Sequence, residues 1–66
     1  MNVNKLRGVL AERGISIEQL ADMIQCDRSS LYRNLNNSER MTIGRAKQIK
    51  AALNLSDEMA SAIFLP

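Results

Sequence analysis

Residues 16–35 read S-I-E-Q-L-A-D-M-I-Q-C-D-R-S-S-L-Y-R-N-L, and this stretch decides the fold. Ser16, with Gln19 three positions on, forms a capping box just ahead of Leu20 and Ala21. Ile17, Leu20, Ala21 and Ile24 then share one helical face, and that helix can run only to about Ile24. After a break around Gln25-Cys26-Asp27, Asp27 is the next capping residue, with Leu31 and Leu35 four apart behind it. Two capped helices joined by a tight turn form a geometry in which the first braces the second and the second lies in a DNA major groove. Close crossing of the two helices requires a small residue, and Ala21 supplies it. Leu20, Ile24, Cys26 and Leu31 supply the apolar inner faces.

Further helices flank this unit on both sides. Asn2 caps a first helix whose stripe is Val3, Leu6, Val9 and Leu10, and Gly14 can take the left-handed conformation that ends it. Asn36-Asn37-Ser38 is a polar turn cluster, extended by Glu39, Arg40 and Met41. Thr42 caps a fourth helix carrying Ile43, Ala46, Ile49 and Leu53 on one face, and Asn54 ends it. Ser56 caps a short last helix. Asp57 and Glu58 lie in its first turn, where the helix dipole favours negative charge. Met59, Ala60, Ile63 and Phe64 form its apolar side. The pattern predicts an all-α fold of five short helices in a single domain, residues 1–66, with no repeat, low-complexity tract or linker.

Composition excludes several kinds of chemistry. A chain of 66 residues, 45% hydrophobic and 24% charged, buries a modest core and is marginal without a staple or a partner. Cys26 has no second cysteine to pair with, so a disulfide is excluded. With no histidine as well, a structural metal site, a histidine base and a catalytic triad all lack their parts. Asp57 and Glu58 are consecutive helix residues that do not face each other, and no glycine-rich phosphate loop is present. The expectation is a non-enzyme with no cofactor, no metal and no small-molecule ligand. Tyr32 and Phe64 are the only aromatics, too few for a base-stacking platform. No apolar run approaches the roughly 18 residues of a membrane span, and no signal pattern opens the chain, so a cytoplasmic location is expected. Cys26 reads as a small buried hydrophobe, and Met23, Met41 and Met59 as core or rim filling.

The net charge of +2 conceals an uneven distribution. Residues 1–27 sum to −1, residues 28–50 to +5, and residues 51–66 to −2. A basic middle between acidic ends is the footprint of a face that meets phosphate; a solvated charged surface is the plain alternative.

On the residues from Ile17 to Arg33, I-E-Q-L-A-D-M-I-Q-C-D-R-S-S-L-Y-R, the chain resembles the helix-turn-helix regulators of the lambda-repressor and Cro-like (XRE-type) superfamily. The runs D-R-S-S-L-Y-R-N-L-N-N, T-I-G-R-A-K-Q-I-K-A-A-L-N-L-S and E-M-A-S-A-I-F-L look more narrowly like small phage and prophage regulators of Gram-positive bacteria. The resemblance covers nearly the whole chain. It implies a compact five-helix lambda-repressor-like domain with its helix-turn-helix at helices 2 and 3. It also implies a sequence-specific double-stranded-DNA-binding transcriptional regulator, Cro-like or repressor-like, that occludes a promoter by binding an operator. Two positions depart from the superfamily pattern. Gln25 stands at a turn position that is often glycine, where a left-handed backbone costs on the order of 1 kcal/mol. Asn34 stands at a usually apolar position, which hands the core contact to Leu35.

Arg28, Ser29, Tyr32 and Arg33 fall on the side of the third helix opposite Leu31 and Leu35, and match the superfamily's base- and phosphate-reading positions, with Ser30 near the inner edge. Arginine can bind guanine through two hydrogen bonds, and serine suits several base edges. Gln19 matches a phosphate-binding position at a helix N-terminus; the capping box alone is the alternative. Asn36, Asn37, Arg40 and Thr42 occupy the loop where such proteins grip the DNA backbone. Asp27 is a cap rather than a reader, and Lys47 and Lys50 serve solubility more than DNA contact. One such unit reads few base pairs, so useful affinity calls for a homodimer on half-sites about one helical turn apart. Met59, Ile63, Phe64 and Leu65 are the candidate dimer contact, within a tail ending Ile63-Phe64-Leu65-Pro66; folding back onto the first helix is the alternative. A protein-interaction module, antitoxin-like or anti-repressor, is the competing use of the same fold.

Overall fold

The computed structural model describes residues 1–65, and among them helices follow one another without a strand. They are α1 (Val3–Arg13), α2 (Ile17–Met23), α3 (Arg28–Asn36), α4 (Ile43–Leu53) and α5 (Asp57–Phe64). A single turn of 3₁₀ helix, Ser38–Arg40, precedes α4. The polar cluster expected as an irregular loop is thus partly helical. The fold is the all-α, five-helix helix-turn-helix architecture that the pattern predicts. Pro66, the last residue of the apolar tail, lies outside the described residues.

Side-chain caps start α1, α2, α4 and α5. Asn2 Oδ1 accepts from the Lys5 N–H at 3.0 Å, Thr42 Oγ1 from the Arg45 N–H at 3.0 Å, and Ser56 Oγ from the Met59 N–H at 3.1 Å. The Ser16–Gln19 box closes in both directions, at 3.0 and 2.8 Å. Each bond satisfies a backbone donor that the helix itself leaves free. Asp27 departs from expectation: it occupies the N-cap of α3, yet its side chain makes no capping hydrogen bond and stays in solvent. At the other ends, Gly14 (φ 67°) closes α1 and Asn54 (φ 52°) closes α4, both left-handed.

Leu6 and Leu10 from α1, Leu20 and Ala21 from α2, and Leu31 and Leu35 from α3 meet Ile49, Leu53, Leu55 and Ile63 in one core. Ala21 is fully buried, as close crossing of α2 and α3 requires. Leu35 is buried and carries the contact that Asn34 cannot. Three expectations are corrected. Ile43, read as inward-facing, is 78% exposed, because α4 enters the core only from Ile49 onward. Cys26 is half-buried rather than buried, packed on the rim of the core. Ile63, read as a candidate surface contact, is fully buried, because α5 packs against α1 and the Asn2 N–H donates to the Ile63 carbonyl at 2.6 Å.

Candidate nucleic-acid interface

The orientation of α3 is set by the turn before it. Gln25 adopts φ 56°, which lets the Cys26 N–H donate to the Ala21 carbonyl at 3.0 Å and turns the chain sharply into α3. Leu31 and Leu35 anchor the inner side of α3 in the core. One exposed face then gathers Arg28, Ser29, Tyr32 and Arg33, while Ser30 is half-buried at its edge. Arg28 and Tyr32 are one turn apart along the helix, as are Ser29 and Arg33, the spacing at which side chains become neighbours.

The flanks are built from the same short-range bonds. Gln19 Oε1 accepts from the Ser16 N–H, which leaves the amide N–H groups of Gln19 as donors at the N-terminus of α2. Asn34 donates through Nδ2 to the Arg40 carbonyl at 2.9 Å, tying the end of α3 to the 3₁₀ turn. Asn37 Oδ1 accepts from the Glu39 N–H at 3.1 Å, which shapes that turn from its start. Asn36, Asn37, Arg40 and Thr42 are all exposed along this edge. Asn34 therefore replaces an apolar contact with a polar brace, and the braced loop continues the surface that α3 presents.

Two contacts between α2 and α3 were not legible beforehand. Tyr32 donates its hydroxyl to Glu18, and Arg28 Nη2 meets Asp22 Oδ2 at 3.4 Å. Glu18 and Asp22 are one turn apart on α2, as Arg28 and Tyr32 are on α3, so the acids and their partners form two rungs across the crossing. The Tyr32 hydrogen bond holds the Glu18 carboxyl below its ordinary value, helped by a backbone N–H and by the Arg28 charge. The same bond raises the Tyr32 phenol, with burial adding to it, while the Arg7 and Arg28 charges oppose the rise. The available sequence signal was the i, i+4 spacing of Glu18 and Asp22, but nothing local says which helix they oppose.

Lys50 is spoken for: it pairs with Asp57 at the N-terminus of α5, and this hydrogen bond holds the Asp57 carboxyl below its ordinary value. Lys47 is exposed on α4. The candidate dimer residues divide into three environments. Ile63 is interior, Met59 and Phe64 are half-buried against the core, and Leu65 is 62% exposed.

A small helix anchored by leucines beneath an exposed arginine-bearing face is what a helix-turn-helix DNA-binding domain presents to a groove. The chain matches the Cro/C1-type HTH DNA-binding domain over residues 5–56, and it belongs to that family. The family is a DNA-binding domain and not an enzyme class. The match takes in most of α1 and all of α2, α3 and α4, and stops before α5. No curated protein and no solved structure was found to match the chain. No helix among the described residues is long and apolar enough to cross a membrane.

Proposed function

We propose that this protein is a sequence-specific regulator of transcription, of phage or prophage origin, that acts in the cytoplasm by occluding a promoter. Residues 1–66 form the one domain that does so. The observation carrying this reading is the exposed face of α3, where Arg28, Ser29, Tyr32 and Arg33 stand together above a buried Leu31. Arg28 and Arg33 bind guanine edges or phosphates; Ser29, Ser30 and Tyr32 adjust the base contacts. Gln19 and the edge from Asn36 through Thr42 bind the DNA backbone and fix the register.

Two copies on adjacent half-sites supply the affinity that one short recognition helix lacks. A trough of about 600 Å³ beside α4 and α5 supports a self-contact there. Its walls include Met41, Ile43, Ala46, Phe64 and Leu65, and Ile43 and Leu65 are the large apolar side chains most open to solvent. The same exposed pair favours a second reading, a protein-interaction module of the antitoxin or anti-repressor kind.

Binding of duplex DNA by the intact protein, Arg28→Ala and Arg33→Ala, measured by fluorescence anisotropy across a salt series, separates the two. The regulator reading expects log affinity to fall steeply with log salt and each substitution to cost about 1–3 kcal/mol of binding. Wild-type binding indifferent to salt and to both substitutions would leave the protein-interaction reading standing.

A further inference from the structure

We propose that Glu18 is a specificity-determining residue that never reaches the DNA: it fixes the polarity of Tyr32, so that Tyr32 reads a base amino group. The inference rests on the DNA-binding reading above and deepens it. A phenol has one proton to give and lone pairs with which to accept. In this structure the Tyr32 proton is given to Glu18, a residue of the bracing helix rather than the recognition helix. At neutral pH the Glu18 carboxyl is ionised and can only accept, so the Tyr32 hydroxyl is the donor of the pair.

A Tyr32 so committed has only acceptor capacity left for DNA. Phosphate oxygens, guanine O6 and N7, and thymine O4 are acceptors and gain nothing from it. Adenine N6 and cytosine N4 are donors and match it. Glu18 therefore turns a side chain that could grip any phosphate into one that discriminates between bases. The second rung works in the same sense. Asp22 holds Arg28 by Nη2 alone, leaving the other guanidinium nitrogens to bind a guanine edge. Two carboxylates beside the interface also disfavour DNA that offers phosphate contacts without the matching bases.

The test selects duplexes from a random-sequence library with the full-length wild type, Glu18→Ala, Glu18→Gln and Tyr32→Phe, followed by anisotropy on the wild-type consensus duplex. Melting curves of each variant check that it remains folded. Every base pair carries one amino base and one keto base in the major groove, so the wild type is expected to prefer adenine or cytosine over guanine or thymine on one given strand at one or two adjacent positions. Glu18→Ala frees the hydroxyl proton, so its consensus shifts at those positions toward keto bases or loses preference there. Tyr32→Phe loses the preference without acquiring a new one. Each single change lowers affinity for the wild-type duplex by about three- to tenfold, and the double variant Glu18→Ala/Tyr32→Phe falls no further than Tyr32→Phe alone. A merely structural role would lower stability and leave the consensus where it was. If both Glu18 variants keep the wild-type consensus, with affinity within about twofold, Glu18 does not set specificity, whatever its effect on folding. Should the wild type enrich no sequence at all, the DNA-binding reading beneath the proposal fails first, and the proposal with it.

Discussion

The guanidinium of Arg13, in the last turn of α1, donates to the carbonyl of Leu53, in the last turn of α4, forty residues further along the chain. The final carbonyls of a helix have no partner within it, and a cation there also meets the negative end of the dipole. Arg13 thus closes α4 from outside while its own helix is closed by Gly14. Arg13→Ala is expected to destabilise the fold by about 1–2 kcal/mol, with Arg13→Lys recovering part of the loss. Urea denaturation measures both, and equal stability of all three proteins would show that the bond contributes nothing.

Gln25 sits at φ 56°, where a side chain crowds the following carbonyl and glycine does not. Gln25→Gly removes that strain at the cost of extra freedom in the unfolded chain. The balance favours the variant by about 0.5–1 kcal/mol. Thermal unfolding reads the outcome directly, and a lower melting temperature for Gln25→Gly would mean that the glutamine side chain makes a compensating contact.

Glu18 and Asp57 both hold their protons less tightly in the folded protein than their ordinary values of 4.5 and 3.8. A carboxyl lowered in this way stabilises the fold above its unfolded value, and the contribution is lost as pH falls through the folded value. Stability is therefore expected to hold from neutral pH to about 5 and to decline below it. Glu18→Gln removes part of that acid-side decline. At the alkaline end the sign reverses: the raised Tyr32 phenol contributes below its ordinary value of 10.0 and ceases to as pH rises through its folded value. Denaturation midpoints across the pH range, compared between wild type and Glu18→Gln, check the acid limb. Indistinguishable acid limbs would remove Glu18 from the account.

Ile43 and Leu65 are exposed and have little of the core to lose. If two copies meet across the trough beside α4 and α5, Ile43→Asp and Leu65→Asp abolish self-association and leave the stability of the monomer within about 0.5 kcal/mol of wild type. Sedimentation equilibrium, free and on a two-half-site duplex, gives the stoichiometry. Unchanged assembly in both variants would move the contact elsewhere.

Arg40 is exposed beside the end of α3, and Asn34 holds its backbone carbonyl in place. A phosphate contact there carries no base information. Arg40→Ala is expected to weaken binding to all duplexes alike and to reduce the slope of log affinity against log salt by about 1. A selective loss on one sequence would instead assign Arg40 to base reading.

Helix starts, stops and the recognition-helix face were legible in the sequence because the interactions that make them are local. Ser16, Thr42 and Ser56 each reach a backbone N–H three residues on, and Gly14 needs only its own backbone freedom. The alternation of Leu31 and Leu35 with Arg28, Tyr32 and Arg33 likewise needs no partner to be read, since a helix sorts its own faces. Other features had no local signature. Asp27 has the right type for a cap and makes no capping bond, while Ile43 has the right spacing for the core and lies outside it. Ile63 and Leu65 are equally apolar neighbours in one short tail, yet one is interior and the other exposed, a difference made by α1 packing on one side of α5. The pairing of Glu18 with Tyr32 joins residues on two helices, and that of Arg13 with Leu53 spans the chain. Sequence periodicity names the face of each helix, but which faces meet depends on how the helices cross, and that is settled only when the whole core packs at once.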